Sequence, residues 1–414
     1  MDLNLDIISL ADICTIKHGY GFKGEYYSDL PTKNILLTPG NFKIGGGFKK
    51  DKLKYYDGPI NDEFILKPYD LIVSMTDLSK DGDTLGFSAL IPDDDDLIYL
   101  HNQRIGLVEI IDESIVDKSF LYWLLRNKEY QHFVVATSTG STVKHTSPKS
   151  ILKYEFKLPT LKEQKNIGNI LNYLENKIKL NENIINNLNK LIDLNFKDNL
   201  LNFNKYSEDE LISSEFGPIP KGWKVSTLTE IANYQNGLAM QKFAPENPDD
   251  AFRVLKIREL RQGFLDKGSN LCSKNIKEDC IVYDGDIIFS WSGSLLVDIW
   301  AGGTCGLNQH LFKVTSHSFD KWFYYCWTKF YLNQFILIAK DKATTMGHIK
   351  RQNLEESLVL IPDKKTYQKL TNMLQPMIEH IIKSKIEIKR LQQLIDVLLP
   401  KLMSNEINVS RINL

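Results

Sequence analysis

Residues 188–193 read LNKLID and residues 391–396 read LQQLID, so two nearly identical hexapeptides lie 203 positions apart in a chain of 414 residues. Leucine or isoleucine occupies the first, fourth and fifth positions of both, which is the spacing of one apolar face of an α-helix. The same helix written twice, half a chain apart, indicates an internal duplication. A duplication of this kind decides the architecture of the whole chain.

The duplication extends over most of the chain, and the order of the matched segments is kept. The matched pairs are SLADICTIKHG (9–19) with TLTEIANYQNG (227–237), YDLIVS (69–74) with GDIIFS (285–290), LHNQRIGLVE (100–109) with LNQHLFKVT (307–315), and TVKHTSPKSILKYEFKLP (142–159) with TMGHIKRQNLEESLVLIP (345–362). The offset falls from 218 to 203 along the first part of each unit and then stays constant. The early segments have therefore diverged in length, whereas the later segments have not.

The first part of each unit has the pattern of a small α+β domain. Short apolar runs such as DLIVS (70–74) and DIIFS (286–290) are bounded by Gly, Pro, Asn and Asp, which predicts short strands joined by many loops. The aromatic runs FLYWLL (120–125) and WFYYCW (322–327) predict buried helices.

The second part of each unit is a long amphipathic helix with apolar residues at alternating spacings of four and three, which is typical of a coiled-coil seam. The predicted seam residues, which include one polar residue at the same place in each helix, are Ile167, Leu171, Leu174, Ile178, Asn181, Ile185, Leu188 and Ile192, and Leu370, Leu374, Met377, Ile381, Ser384, Ile388, Leu391 and Ile395. A pair of ordinary core helices remains the alternative. Pro376 predicts either a kink or a short leading helix before the long one.

These patterns predict the domain organisation. SEFGPIPKGWK (214–224) is rich in Gly and Pro and cannot continue a helix. The predicted parts are a first globular domain (1–160), a long helix (161–202), a connection (203–225), a second globular domain (226–362), a second long helix (363–400), and a tail (401–414) that packs back near the first half of the chain. The fold class is thus α+β, with two pseudo-symmetric α/β domains separated by an antiparallel coiled coil. About 30 helical residues at ~1.5 Å each give a spacer of ~45 Å.

Composition limits the classes of function. A net charge of −1 excludes a chain that coats nucleic acid through overall basicity, so DNA binding must depend on local clusters. One such cluster is formed by four lysines between Lys49 and Lys54, while the acidic run Asp93–Asp96 reads as a solvated turn that would repel phosphate. The sequence has neither a signal-peptide pattern nor an apolar run of membrane length, so we expect a cytoplasmic protein.

The usual signatures of catalysis and metal binding are missing from the sequence. The five cysteines form no CxxC pair, which favours buried reduced thiols over a metal site made by Cys272, Cys280 and His310. KIGGGFKK (43–50) lacks the Lys-Ser/Thr of a phosphate-binding loop, which favours a flexible loop. There is no Asp/Asn-Pro-Pro-aromatic tetrapeptide. We therefore expect no catalytic residue, no metal and no cofactor on this chain.

Two carboxylates and a lysine occur in an order that resembles a metal-nuclease pattern. They are Asp363, Glu387 and Lys389. Their predicted positions lie on the surface of a helix, where charged side chains normally only interact with solvent, so solvation is the favoured interpretation.

Some polar residues recur at equivalent places. Thr142 precedes His145 by three residues, as Thr345 precedes His348. These side chains could contact DNA or could cap a turn before the last strand, and both readings stay open. The Asn-Gln pairs at 102–103 and 308–309 could read adenine, but satisfying backbone groups is the favoured role.

Three stretches carry a resemblance to a known family: GSTVKHTSPKSILKYEFKLPTLKEQKNIGNIL (140–171), GPIPKGWKVSTLTEIA (217–232) and LLPKLMSNEINV (398–409). In this order they resemble the specificity subunit of a type I DNA restriction-modification enzyme, and the resemblance covers essentially the whole chain. The second unit departs from the first, with MGHIKRQ in place of VKHTSPK and DKKTYQKL in place of LKEQKNI. These departures leave the equivalence of individual contacts open.

The resemblance implies a non-catalytic subunit whose two target-recognition domains each read one half of a bipartite, asymmetric sequence in double-stranded DNA. It also implies that the helices set the unread spacer and bind two methyltransferase subunits, which carry S-adenosylmethionine. Motor-nuclease subunits would add ATP- and Mg-dependent cleavage. A spacer of ~45 Å corresponds to about 13 base pairs at roughly 3.4 Å each. The alternative is a two-domain tether that binds DNA or protein without a role in restriction.

Under this interpretation the DNA contacts divide into phosphate-binding residues and residues near the bases. The expected phosphate contacts are Lys43, Lys49, Lys50 and Lys52 in the first unit and Lys242, Arg253, Lys256, Arg258 and Arg261 in the second. The expected residues near the groove are Thr142, Lys144, His145, Thr345 and His348.

Overall fold

The computed structural model of the chain describes residues 7–77, 79, 82–341 and 347–410. It divides into two compact units: the first joins the residues up to Asn176 with those from Gln393 onward, and the second is Lys177–Gln392. Each long helix therefore contributes residues to both units.

The first unit contains two main sheets. Its described strands are β1 (Ile7–Ser9), β2 (Cys14–His18), β3 (Tyr27–Ser28), β4 (Asn34–Leu36), β5 (Lys54–Tyr56), β6 (Ile65–Leu66), β7 (Leu71–Ser74), β8 (Thr76–Asp77), β9 (Ser88–Leu90), β10 (Ile98–Leu100), β11 (Ile105–Ile110), β12 (Lys144–His145) and β13 (Glu155–Lys157). Its helices are α1 (Lys118–Leu124), α2 (Lys128–Ala136), α3 (Pro148–Ile151) and the first part of α4 (Leu161–Leu200). The sheets have the orders β2-β11-β7-β9 and β3-β5-β4-β10-β6, and two further pairs are β1-β13 and β8-β12.

The second unit repeats this arrangement. Its described strands are β14 (Leu211–Ser214), β15 (Gly217–Pro220), β16 (Lys224–Thr227), β17 (Asn233–Asn236), β18 (Ala251–Leu255), β19 (Leu271–Ser273), β20 (Ile281–Val282), β21 (Ile287–Ser290), β22 (Leu296–Ile299), β23 (Cys305–Leu307), β24 (Leu311–Thr315) and β25 (Leu358–Ile361). Its helices are α5 (Leu228–Ile231), α6 (Ile257–Gln262), α7 (Lys321–Asp341), α8 (Arg351–Glu355) and α9 (Lys364–Met403), whose end belongs to the first unit. The sheet orders are β17-β24-β21-β22 and β19-β18-β23-β20, with the pairs β16-β25 and β14-β15.

The predicted α+β duplication is confirmed strand by strand. The order β2-β11-β7-β9 matches β17-β24-β21-β22, and β5-β4-β10-β6 matches β19-β18-β23-β20. The orientations match as well, because β4 runs parallel to β10 just as β18 runs parallel to β23, while the neighbouring pairs are antiparallel. The aromatic runs predicted as buried helices lie in α1 and α7.

A pair of glycines shows the duplication at the level of atoms. A Cβ added at Gly19 would lie 2.3 Å from the carbonyl oxygen of His101, and one added at Gly237 would lie 2.3 Å from that of Leu307. Real Cβ atoms do not approach oxygen so closely, so the backbones of β2 and β17 can pass their neighbours only at glycine.

The seam residues of the long helices are mostly buried. Asn181 and Ser384, the polar pair, are each 3% exposed, and the Asn181 amide donates a hydrogen bond of 2.9 Å to the Glu387 carboxylate. Farther along α4, Ile192 shares a hydrophobic core with Leu374 of α9. Because later residues of α4 meet earlier residues of α9, the helices run antiparallel within the second unit.

One predicted seam position of α9 differs in the structure. Ile378 is fully buried, whereas Met377 is only partly buried at the edge of the same core. The cause is that the first turns of α9 pack against a globular domain, so the buried face follows the helical period of 3.6 residues rather than a supercoiled period of 3.5. Four other predicted seam residues are half-buried: Ile185, Leu188, Ile388 and Leu391.

The long helices span Leu161–Leu200 and Lys364–Met403, where the sequence predicts 161–202 and 363–400. α4 and α9 each contain 40 residues, or ~60 Å at ~1.5 Å per residue, and α9 runs through Pro376 without being divided into two helices. The last turns of α4 pack against the second domain, where the centroid of the Phe196 ring lies 5.0 Å from that of the Trp327 ring.

The connection after α4 is built into the second unit. β14 and β15 form a hairpin, and Gly217 at its turn has φ +108°, a conformation that favours glycine. Ile219 and Trp223 belong to the hydrophobic core of this unit, and Phe216 lies against it. The helix ends at Leu200, before the Gly- and Pro-rich stretch begins, and that stretch forms ordered structure in the second unit.

The tail after α9 contacts the beginning of α4 within the first unit. The Asn166 amide donates a hydrogen bond of 2.9 Å to the Val409 carbonyl, and both residues are buried. Residues 411–414 lie outside the described part of the chain.

The five cysteines are free and buried. Burial raises the pKa of the Cys272 thiol to about 11 and that of Cys14 to about 12, so both stay protonated at neutral pH. No helix among the described residues is both long enough and apolar enough to span a bilayer.

A Gly237→Ala substitution tests the close approach of the chain just after β17 to the Leu307 carbonyl at the end of β23. We expect it to lower the free energy of unfolding of the second unit by ~1–3 kcal/mol, because the new methyl group must displace backbone. Chemical denaturation with hydrogen exchange over β17 and β23 measures the loss. Gly24→Ala is the control, since its methyl group meets only the Tyr27 ring at 3.9 Å. If Gly237→Ala and Gly24→Ala had the same free energy of unfolding, the close approach at Gly237 would not require glycine.

Candidate nucleic-acid interface

A hairpin brings His145 beside a hydroxyl group in the first unit. The backbones of Thr139 and His145 exchange hydrogen bonds of 2.9 and 2.8 Å, and Gly140 at the turn has φ +95°. Thr142 is exposed in this turn. His145 is exposed too, with its Nδ1 atom 3.1 Å from the Thr76 hydroxyl oxygen. The turn thus presents a threonine and an imidazole to solvent on a short β-ladder.

Asp77 organises the opposite side of this ladder, where it is the strand partner of Lys144. Its carboxylate accepts hydrogen bonds from the Ser79 amide at 2.6 Å and the Thr84 hydroxyl at 2.7 Å. Burial alone raises the pKa of this carboxyl, but the hydrogen bonds outweigh burial and leave it below its ordinary value. Asp77 therefore remains an anion that accepts hydrogen bonds from Ser79 and Thr84, while half-buried Lys144 lies across from it.

The second unit keeps the backbone arrangement and changes the side chains. Ser292, the counterpart of Thr76, forms an antiparallel bridge with His348. Its hydroxyl oxygen lies 3.0 Å from Nδ1 of His310, a residue of the Asn-Gln segment. The Trp291 ring lies between, with centroids 6.1 Å from His310 and 6.2 Å from His348. Thr345 lies outside the described residues.

The Asn residues of the Asn-Gln pairs serve the backbone. The Asn102 side chain accepts a hydrogen bond of 3.1 Å from the Arg104 amide, and the Asn308 side chain accepts one of 3.3 Å from the His310 amide. Both asparagines are buried. This is the structural role that the sequence favoured over base reading.

The lysines of the first unit differ in their surroundings. Lys50 pairs with Asp94 at 2.6 Å and Lys49 pairs with Asp51 at 3.4 Å. Lys43 and Lys52 are exposed. The reading of the acidic run as a solvated turn is thus wrong for Asp94, because folding brings this carboxylate to a lysine 44 positions away.

The basic residues of the second unit divide in a similar way. Three of them make contacts in or around α6. The Arg253 guanidinium donates to the Asp266 carbonyl at 2.6 Å and the Lys256 ammonium donates to the Asn270 side chain at 2.7 Å, both in the segment after α6, while the Arg258 guanidinium donates to the Glu259 carboxylate within α6 at 2.7 Å. Lys242 and Arg261 are exposed. Arg258 is still 56% exposed, so only part of its surface is used internally.

The residues that resemble a nuclease pattern have separate structural partners. The Asp363 carboxylate caps α9 by accepting from the Lys365 amide at 3.0 Å. Glu387 bonds to Asn181, as described above, and the Lys389 ammonium lies 3.9 Å from the Asp284 carboxylate. No group of three metal-ligating side chains occurs among the residues that the structure describes.

The sequence did not identify Thr76 and Ser292, which lie beside the histidines. A signal was present, because each follows by two residues the serine that ends a matched strand, Ser74 or Ser290. These two serines also donate equivalent hydrogen bonds, from Ser74 to the Thr76 carbonyl at 2.9 Å and from Ser290 to the Ser292 carbonyl at 3.2 Å.

Comparison with known proteins agrees with this duplicated architecture. The family described as type I restriction modification DNA specificity domain matches residues 4–190 and 220–393. The specificity subunit of the type I restriction enzyme MjaIX from Methanocaldococcus jannaschii is 27% identical over 324 residues, which is 74% of this chain and 73% of that protein. The specificity subunit of type I restriction enzyme EcoBI from Escherichia coli is 24% identical over 200 residues, 47% of this chain and 41% of that one.

A solved structure has the same fold. The crystal structure of the S subunit of a type I restriction-modification system from M. genitalium aligns over 97% of both chains with a TM-score of 0.58 and 15% identity. The family match covers both halves of the chain, each half having the same strand order and leading into a 40-residue helix. The chain therefore belongs to the family of type I restriction-modification DNA specificity subunits.

Proposed function

We propose that each domain of this specificity subunit reads one half of a bipartite, asymmetric sequence in double-stranded DNA. The observation that carries the proposal is that the two domains share one strand order, while the segments between equivalent strands differ in length and sequence. A shared scaffold places both domains on DNA in the same manner, and different loops give each domain a different preference.

The long helices fix the spacing between the half-sites in this proposal. Their antiparallel seam within the second unit is supported by buried Ile192 and Leu374 and by the hydrogen bond from Asn181 to Glu387. A packed helix pair is far stiffer than a loop, so it can hold a fixed number of unread base pairs.

Catalysis belongs to partner subunits in this proposal. Two methyltransferase subunits would supply S-adenosylmethionine and adenine methylation, and motor-nuclease subunits would use ATP and Mg, all in the cytoplasm. Support comes from the outer face of α4, which exposes large apolar side chains such as Tyr173 (71% exposed), Leu180 (52%) and Leu194 (59%). Apolar side chains grouped on one exposed element mark a surface for protein partners.

A tether that binds proteins alone would not select a DNA sequence. The deciding experiment co-expresses the chain with a methyltransferase subunit of its own system and maps methylated adenines across a genome. The proposal expects one bipartite motif. Methylation spread over unrelated sequences, or none, would overturn it.

Replacing residues 1–160 by those of a relative with another specificity separates the two domains. We expect one half of the methylated motif to change while the other half and the spacer stay the same, because the second domain and both long helices are untouched. Mapping the methylated sites of the chimera measures this. A change in both halves would contradict independent reading.

Lys43→Ala tests phosphate binding. Each phosphate contact releases condensed counterions, so we expect the slope of log K against log salt concentration to become shallower by ~0.9. Mobility shifts of the methyltransferase complex at several salt concentrations measure the slope. Lys157→Ala is the control with the same change in charge, placed on the strand that pairs with β1. If the slope for Lys43→Ala is the same as the slope for Lys157→Ala, Lys43 does not contact a phosphate.

A further inference from the structure

Each domain carries a loop at the same place in its sheet with a large apolar side chain at its surface. The first loop, 43–50, lies between β4 and β5, and the second, 263–270, lies between the equivalent strands β18 and β19. We call them the first and second tip loops. Ile44 is 75% exposed in the first and Phe264 is 48% exposed in the second.

The first tip loop has a defined backbone. Gly45, Gly46 and Gly47 have φ values of +81°, +89° and +93°, a run of left-handed residues that side chains would strain. The Lys43 amide donates to the Gly47 carbonyl at 2.9 Å, and the Gly47 amide donates to the Ser88 carbonyl at 2.8 Å. The sequence suggested a flexible loop, but these contacts close it into a fixed turn.

A buried ion pair holds this turn from below. The Arg126 guanidinium donates to the Gly45 carbonyl at 3.0 Å and pairs with the Glu175 carboxylate of α4 at 2.6 Å. Only 12% and 15% of these two side chains are exposed. The Tyr122 hydroxyl donates to Glu175 at 3.0 Å, and the Trp123 ring lies 4.1 Å from the Arg126 guanidinium carbon. Breaking so enclosed a pair would leave a buried charge, so the loop is firmly anchored.

A different network of hydrogen bonds and ion pairs holds the second tip loop in a fixed conformation. Glu259 is 2% exposed, and its carboxylate accepts hydrogen bonds from Arg258 at 2.7 Å and Ser269 at 3.2 Å. Arg258 also reaches the Asp266 carboxylate at 2.9 Å. Gln262 donates to the Phe264 carbonyl at 2.7 Å, which fixes the residue at the tip.

The basic residues in and near the tip loops indicate what kind of surface these loops would contact. The first tip loop contains Lys43, Lys49 and Lys50 and has no acidic residue. Near the second tip, Arg261 and Lys267 are exposed. Lys49 and Lys50 pair with Asp51 and Asp94 outside the first loop, while Lys43 is exposed. An apolar side chain on a loop that also carries exposed cations suits the groove of a duplex, where phosphates line the rim and thymine methyl groups and base edges form the floor. A fixed loop also loses little conformational freedom when it binds.

We propose that Ile44 and Phe264 are specificity-determining residues, each contacting a base of its own half-site from a preorganised loop. This inference rests on the proposed function, since it assigns base reading to particular side chains within it. The differing sequences of the tip loops, KIGGGFKK and GFLDKGSN, then account for different half-sites.

Ile44→Ala and Phe264→Ala test the inference in the full chain co-expressed with its methyltransferase subunit. We expect Ile44→Ala to relax one base position in one half of the methylated motif, with discrimination there falling roughly 10-fold. Phe264→Ala should relax one position in the other half. Leu30→Ala is the control, because Leu30 is 76% exposed but precedes β4, at the opposite end of that strand from the first tip loop.

Both substituted residues are exposed, so the variants should unfold at the temperature of the wild type, and thermal denaturation checks this. An unchanged motif with both variants, methylated at the wild-type level or uniformly less, would overturn the assignment of base reading to the tips. The proposed function would survive that result, because the wild type would still give a bipartite motif. A wild type without such a motif would instead overturn the proposed function itself.

Discussion

The burial of one apolar stripe on each long helix is the constraint on which the rest of this structure depends. In the second unit the stripe of α9, with Leu370, Leu374 and Ile378, enters the same core as Ile192 and Phe196 of α4. That core also contains the aromatic residues of α7, so the helix pair and the recognition domain share one hydrophobic interior. A domain packed in this way cannot turn freely on the helices that carry it, which is what reading DNA at a fixed spacing requires.

The hydrogen bond from Asn181 to Glu387 fixes how the two long helices are aligned along the seam. A buried asparagine is costly unless its amide is hydrogen-bonded, and Asn181 meets that condition only where Glu387 stands opposite. Sliding one helix by a turn would separate these groups and bury the Asn181 amide without its partner. Apolar contacts thus hold the helices together, and this contact selects one alignment.

The two domains hold equivalent loops in place with different side chains. Both fix the loop between two equivalent strands, β4 and β5 in the first domain and β18 and β19 in the second. The first uses an arginine-glutamate pair reaching α4, and the second uses a network centred on a glutamate of α6. The hydroxyl-histidine contacts differ in the same way, through His145 in one domain and His310 in the other. The duplication preserved the backbone that positions these side chains, while the side chains themselves diverged.

The sequence by itself determined the duplication, the α+β class, the two long helices and most of their buried residues, because period and order are local properties written along the chain. It also identified the buried role of the Asn-Gln asparagines. Only the tertiary structure decided which charges meet, as with Lys50 and Asp94, or Arg126 and Glu175, since these partners lie far apart in sequence. It likewise decided that Ile378 rather than Met377 faces the core, and that a glycine run is a fixed turn. Such outcomes depend on what a residue faces after folding, and no local pattern records that.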